Sequence, residues 1–255
     1  MKKNLFATLG TLILLTIFCV PSAFALGFGV RADYWIPTFK GDLRVDNNSV
    51  TGTPINLKDD LGISNDNIPG AEAYIGIGNH EITLAYSQVN LSGAKKIDKE
   101  IKFNGKTYDV AENVESELKT SMIDLEYQYK LVNFHYILAG LSFGIIAKVK
   151  YFDGEVKIKS SSDTNKNIQV PIPMIGVGAK IGLLANILEA RAKVTGMGYS
   201  GNFFYDAMAD LSLTPIPFLN IHGGYRAMSV KIDNVSDVYA KMDFYGPYVG
   251  LLISF

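Results

Sequence analysis

Cysteine is all but missing from this sequence. The single thiol, Cys19, lies inside an N-terminal segment that reads as a secretory signal: Lys2 and Lys3, an apolar run from Leu5 to Val20, and Ala23-Phe24-Ala25 as cleavage site. Phe18 before it is too bulky for lipoprotein-type processing, so the expected division is a removed signal over 1–25 and one domain over 26–255. That domain has no disulfide, no Cys-held metal and no Cys nucleophile. Histidine is scarce, with 3 in the chain. Beyond the signal no apolar run approaches the ~20 residues that a membrane helix needs. A strong excess of either charge is missing too: the 24 basic residues fall to 22 without Lys2 and Lys3, against 25 acidic, which argues against a nucleic-acid partner.

What the sequence has is alternation. From Phe244 to Phe255 the row Tyr245, Pro247, Val249, Leu251, Ile253, Phe255 is apolar without a break, while Phe244, Gly246, Tyr248, Gly250, Leu252 and Ser254 form a smaller, more mixed row. Side chains alternate across a strand, so one face can meet hydrocarbon and the other a tighter, wetter space. The same pattern begins at Leu26, where Phe28, Val30, Ala32, Tyr34 and Ile36 oppose Gly27, Gly29, Arg31, Asp33 and Trp35. It recurs near 71–77, 82–86, 122–129, 137–145, 175–183, 188–195, 205–213 and 219–228.

Long polar stretches at Pro37 to Asn67 and Ser92 to Glu117 read as loops, and Asn104-Gly105 inside the second is a hairpin-turn signal. Short turns are expected near Asn79-His80, Val132-Asn133, Ala185-Asn186 and Thr214 to Pro217. Long connections alternating with short ones, over an even count of about ten strands, predict an all-β fold: a closed antiparallel transmembrane barrel with short periplasmic turns and long extracellular loops. Tyr34, Tyr86, Tyr205 and Tyr245 at one set of strand ends, and Tyr127, Tyr129, Tyr136, Phe218 and Phe255 at the other, would form its interfacial girdles.

Four stretches carry a resemblance: Asn56-Leu57-Lys58-Asp59-Asp60-Leu61-Gly62-Ile63, Val170-Pro171-Ile172-Pro173-Met174, Gly224-Tyr225-Arg226, and Phe244 through Phe255. Together they resemble a family of Gram-negative outer-membrane β-barrel proteins without an assigned biochemical activity, over nearly the whole chain after the signal. The resemblance implies outer-membrane location, with membrane lipid and lipopolysaccharide as partners, and transfers no functional residues.

No catalytic constellation is legible. His80 and His135 fall at short turns, and His222 faces the bore with Asp210 within conceivable reach. The Asp-x-His of ten-stranded outer-membrane proteases and the His-x-Ser of small-barrel deacylases are absent. Gly27-Phe28-Gly29-Val30-Arg31-Ala32 is itself a strand, so it is no dinucleotide loop. Asp59-Asp60 and Asn65-Asp66-Asn67 lack EF-hand spacing and read as solvated turns, and no cofactor is expected.

The informative set is the bore-facing row: Arg31, Asp33, Glu72, Asp124, Glu126, Arg191, Lys193, Asp206, Asp210 and Arg226. Balanced charges in a narrow bore either pair and fill it or line a small polar pore, and small barrels are usually filled by side chains. Inward glycines at 27, 29, 76, 78, 140, 144, 176, 178 and 182 suggest a hollow periplasmic vestibule beneath that constriction. The expectation is a non-enzymatic envelope barrel, structural or passing small polar solutes slowly. Surface binding through the long loops stands as the alternative, and a barrel-borne hydrolase ranks last.

Overall fold

A computed structural model describes residues 26–47, 50–134, 140–160, 163–184 and 187–255. The expected signal, Cys19, His135, Tyr136 and the Ala185-Asn186 turn lie outside them. The strands are β1 (Leu26–Trp35), β2 (Thr38–Val45), β3 (Ile55–Asn56), β4 (Ile68–Ile77), β5 (His80–Lys96), β6 (Ile101–Phe103), β7 (Lys106–Tyr108), β8 (Asn113–Phe134), β9 (Leu141–Lys159), β10 (Thr164–Leu183), β11 (Leu188–Tyr199), β12 (Asn202–Ile216), β13 (Leu219–Val235) and β14 (Val238–Ser254).

Ten of them, β1, β4, β5 and β8 to β14, pair antiparallel in ring order, and β1 closes on β14 with Val30 opposite Ile253 and Ala32 opposite Leu251. Closure removes both edges of the sheet, so every strand has a neighbour on each side over its lower part. The outward row there is an apolar belt: Phe28, Val30 and Tyr34 on β1, Ile123, Leu125 and Tyr127 on β8, Val249, Leu251 and Ile253 on β14. Aromatics flank the belt, including a stack of Phe218, Phe255 and Phe28 with centroids 5.2 and 5.1 Å apart at the short-turn end.

Parts of the long polar stretches are strand. Thr38–Val45, expected as loop, is β2, which runs on past Pro37 along β14 from Tyr245 to Val238. Pro247 has no N–H to offer at the break between β1 and β2, and Trp35 Nε1 donates to the Gly246 carbonyl there at 3.1 Å. β5 and β8 likewise continue their ladder up to Lys96 and Asn113. The connections after β11 and β13 at this end are tight turns, and β10 begins at Thr164 soon after β9 ends at Lys159, so much of the length resides in a collar of extended strands. Asn104 and Gly105, both at positive φ, turn the β6–β7 hairpin.

Where the strands leave the belt their polarity inverts. On β8 the outward residues change from Ile123 and Leu125 to Glu115, Glu117 and Lys119, and the inward ones from Asp124 and Glu126 to Val114, Leu118 and Met122. The collar therefore encloses a dry interior instead of a wet one. Outside it, Lys119 and Lys159 each reach Glu117 at 2.8 Å and hold its carboxyl down to about 2.

Two outcomes are expected. Leu251→Arg places a cation in mid-belt and lowers the stability of protein refolded into lipid vesicles, read from urea titration, by about 2–4 kcal/mol; a loss below about 1 kcal/mol means this row does not meet hydrocarbon. Because folding depresses the Glu117 pKa, its clasp is in force above about 4.5 and is lost as pH falls through about 2, and Lys159→Ala raises that midpoint in an NMR titration.

Candidate functional site: a charged band beneath an apolar plug

Inward residues of the lower barrel converge on the axis from all around the sheet, and the structure brings the ten charged residues of the bore row into one band. On β1 and β4, Arg31 faces Glu72 at 3.6 Å and Asp210 of β12 at 4.0 Å. Arg191 of β11 reaches the same pair, Asp210 at 2.7 Å and Glu72 at 3.9 Å, and the Tyr248 hydroxyl donates to Asp210 at 2.5 Å. A second tier lies nearer the collar: Arg226 donates from Nε and Nη2 to Asp206 at 2.9 and 2.6 Å, and Lys193 donates to Glu126 at 2.6 Å.

Two cations that the sequence reading did not include complete this tier. Lys148 lies 3.3 Å from Asp124, 3.4 Å from Glu126 and 3.9 Å from Asp206, and Lys150 lies 2.7 Å from Asp124 and 3.7 Å from Asp206. Continuing the alternation of β9 beyond Ile145 would have placed both inward. Lys150 is 0% exposed, with its ammonium 5.9 Å from the Phe204 ring. Six bases thus meet six acids, counting Asp33, whose carboxylate contacts His222 Nε2 at 2.5 Å. The partner of His222 is Asp33 on β1, not Asp210; Ser212 stands opposite His222 across β12 and β13, but His222 Nδ1 has no hydrogen-bond partner among the described residues, so no hydroxyl is joined to the pair.

The expected vestibule is largely occupied. A Cβ on Gly29 would stand 2.7 Å from the Tyr74 ring, one on Gly178 3.0 Å from the Gln128 amide, and one on Gly176 2.7 Å from Thr195 Cγ2. These glycines make room for neighbouring side chains, leaving a cavity of about 80 Å³ bordered by Tyr74, Gln128 and Lys130. Gly78 and Gly140 sit at positive φ in the short turns and do not line the bore wall.

Above the band the bore is sealed by hydrocarbon. Trp35 marks the boundary, with the Arg226 guanidinium 5.0 Å from its ring and Phe244 6.2 Å away on the far side. Higher still, Ile55, Leu57, Leu61, Ile63, Ile101 and Phe103 from the two long connections are at most 1% exposed among Phe39, Leu43, Leu91, Leu118 and Ile158 of the wall. The segment Asn56 to Ile63 is a polar turn serving that burial. Asp60 accepts from the Asn56 N–H at 2.7 Å and pairs with Lys99 at 2.6 Å, while the Asn56 side chain accepts from the N–H of Asp59 at 2.8 Å. Asn65 caps the Phe39 N–H at 3.0 Å, and among the described residues no cluster of metal-ligating side chains occurs. Backbone links between Thr53 and Lys102 and between Asn104 and Val45 tie the two connections together.

No protein-family model matches the sequence, and comparison with curated proteins finds no relative. Three solved structures are similar to it. The outer-membrane protease OmpT of Escherichia coli matches with TM-score 0.59 at 10% identity, over 92% of this chain and 99% of that one. The Neisserial surface protein NspA matches at 0.38 with 14% identity, over 89% and 97% of the two chains. Ail of Yersinia pestis matches at 0.39 with 11% identity, over 90% and 99%. The fold is that of the Gram-negative outer-membrane β-barrels.

The band generates a stability prediction. Asp206→Ala leaves Arg226 with no carboxylate hydrogen bond and withdraws a partner from Lys148 and Lys150, and should cost about 3–5 kcal/mol in urea-dependent refolding. A loss under about 1 kcal/mol would mean that water already screens the band.

Proposed function

We propose that this chain is an integral outer-membrane barrel whose bore is closed in its resting form and whose role is structural and presentational: a membrane-fixed cylinder that holds a rigid collar outside the cell. The observation that carries this reading is the plug, in which apolar side chains of two separate connections pack among those of the collar strands above a charge-paired band. A solute crossing the barrel would have to displace both. Contacts inside the band likewise leave no unpaired charge among the described residues to coordinate a passing ion, and slow passage of polar solutes would need the plug to open.

Lipopolysaccharide is the proposed partner of the outer rim. Lys231 and Lys241 are directly opposed across β13 and β14 on the outward face just above the belt, and neither has an ion pair among the described residues. Asp42 of β2 stands opposite Lys241 on its other side, and a lipid phosphate between the two lysines would supply a second anion where their like charges face each other.

Planar-bilayer recording of refolded protein tests the closed bore. The intact chain is expected to give no unitary steps, and removal of 98–111, which carries the β6–β7 hairpin, is expected to stay silent as long as the charged band is in place. Resolved steps from the intact chain would overturn the reading.

A further inference from the structure

The collar has a gap in its wall. β10 pairs with β9 along its whole upper length, from Thr164 onward, yet on its other side it pairs with β11 only from Ile175 down. The β11–β12 hairpin is short and turns back at Tyr199 and Asn202, while β13 climbs on to Val235. A notch is left between upper β10 and upper β13, with the top of the hairpin as its sill.

The sequence builds this notch with two prolines. Pro171 and Pro173 share one parity on β10, and the ladder with β9 runs through both without interruption, so the donors they lack are those that would face β11. Two consecutive donors are thus missing where a longer β11, or an edge strand from a second copy, would first have to pair, which disfavours extension of the sheet there. What the notch favours is not a peptide backbone.

Behind it lies a cavity of about 160 Å³ lined by Ile168, Val170 and Ile172 of β10, Met197 of β11, Phe204 of β12 and Ile232 of β13. Ile168, Val170, Met197 and Ile232 belong to the apolar interior yet are only partly buried, because the gap uncovers them. An apolar cavity near 150 Å³ accepts a benzene-sized guest, so the room suits one short stretch of hydrocarbon and not several chains side by side. At the mouth stand Tyr199, 78% exposed, and Lys231, which has no ion pair among the described residues.

We propose that the notch is a binding site for a free single-chain anionic amphiphile, an alkyl carboxylate whose tail enters between β10 and β13 and whose head group meets Lys231. The site is separate from the charged band, so an occupied notch and a silent bore are read independently; its head group shares Lys231 with the lipid phosphate proposed above, so the two ligands would compete there and the test is run without lipopolysaccharide.

The test uses the full-length mature chain in phosphatidylcholine nanodiscs with dodecanoate carrying a diazirine at the tail end. Light-induced labelling should fall within 168–172, 197–204 and 230–232, saturate, and be displaced by excess dodecanoate. Val170→Trp and Met197→Trp, each verified as folded by circular dichroism, should abolish that labelling and leave labelling of the lipid belt unchanged. Lys231→Gln should weaken labelling by the carboxylate severalfold and leave labelling by the matching alcohol unaltered. Label confined to belt residues, or unchanged in both tryptophan variants, would overturn the site; equal effects of Lys231→Gln on both probes would overturn the choice of an anionic head.

Discussion

Everything in this molecule follows from the ladder between β1 and β14. In hydrocarbon an unpaired N–H or C=O costs several kcal/mol, so a sheet there is stable only when its first strand meets its last. Closing ten strands brings the inward side chains of the lower wall within reach of one another across a bore too narrow to leave empty. The charges there can be tolerated only if they pair, and they do so as acids and bases from different strands: Arg191 with Asp210, Lys193 with Glu126, Arg226 with Asp206. The network thus acts as a fastener across the barrel, and its strength lies less in favourable burial than in the penalty for removing any one member.

The collar solves a different problem. Once the strands leave lipid, their outer face must be wetted, and the burden of burying apolar surface passes to the inside. The exchange takes place within one or two residues on each strand, at Met122 and Ile123 on β8 and at Tyr151 and Phe152 on β9. Above that line the protein resembles a soluble β-domain with its own core, stacked on a membrane barrel whose polarity is reversed. Trp35, the chain's one tryptophan, spans the seam, with its ring on the Arg226 side and its N–H satisfied by Gly246.

Legibility in the sequence tracked that seam. The belt rows were plain because apolar residues recur at every second position opposite glycines and charges, and β1, β11, β13 and β14 follow from them directly. Thr38–Val45 and the tops of β5 and β8 read as loop because outward Lys40, Asp42 and Arg44, or Glu115, Glu117 and Lys119, dominate the impression of polarity. Yet the interleaved Phe39, Leu43 and Val45 carry an alternation as strict as that of the belt, with the two faces exchanged. Lys148 and Lys150 are less legible although their strand is expected to run past Lys150, because the inward row below them, Gly140, Ser142 and Gly144, carries no charge for them to continue. The contacts that decide the site, such as Asp33 with His222 across 189 positions, depend on closure and register and have no local trace.

The length of the collar strands has a mechanical consequence. A surface built of freely moving loops must surrender conformational entropy whenever something lands on it, at roughly 0.5–1.5 kcal/mol for each side chain immobilised. Here the surface is a direct continuation of the hydrogen-bonded wall, braced from within by Phe103, Leu57 and Leu61, so its shape is settled before any encounter. Recognition by such a surface would be selective for form, tolerant of temperature, and quick to reject what does not fit.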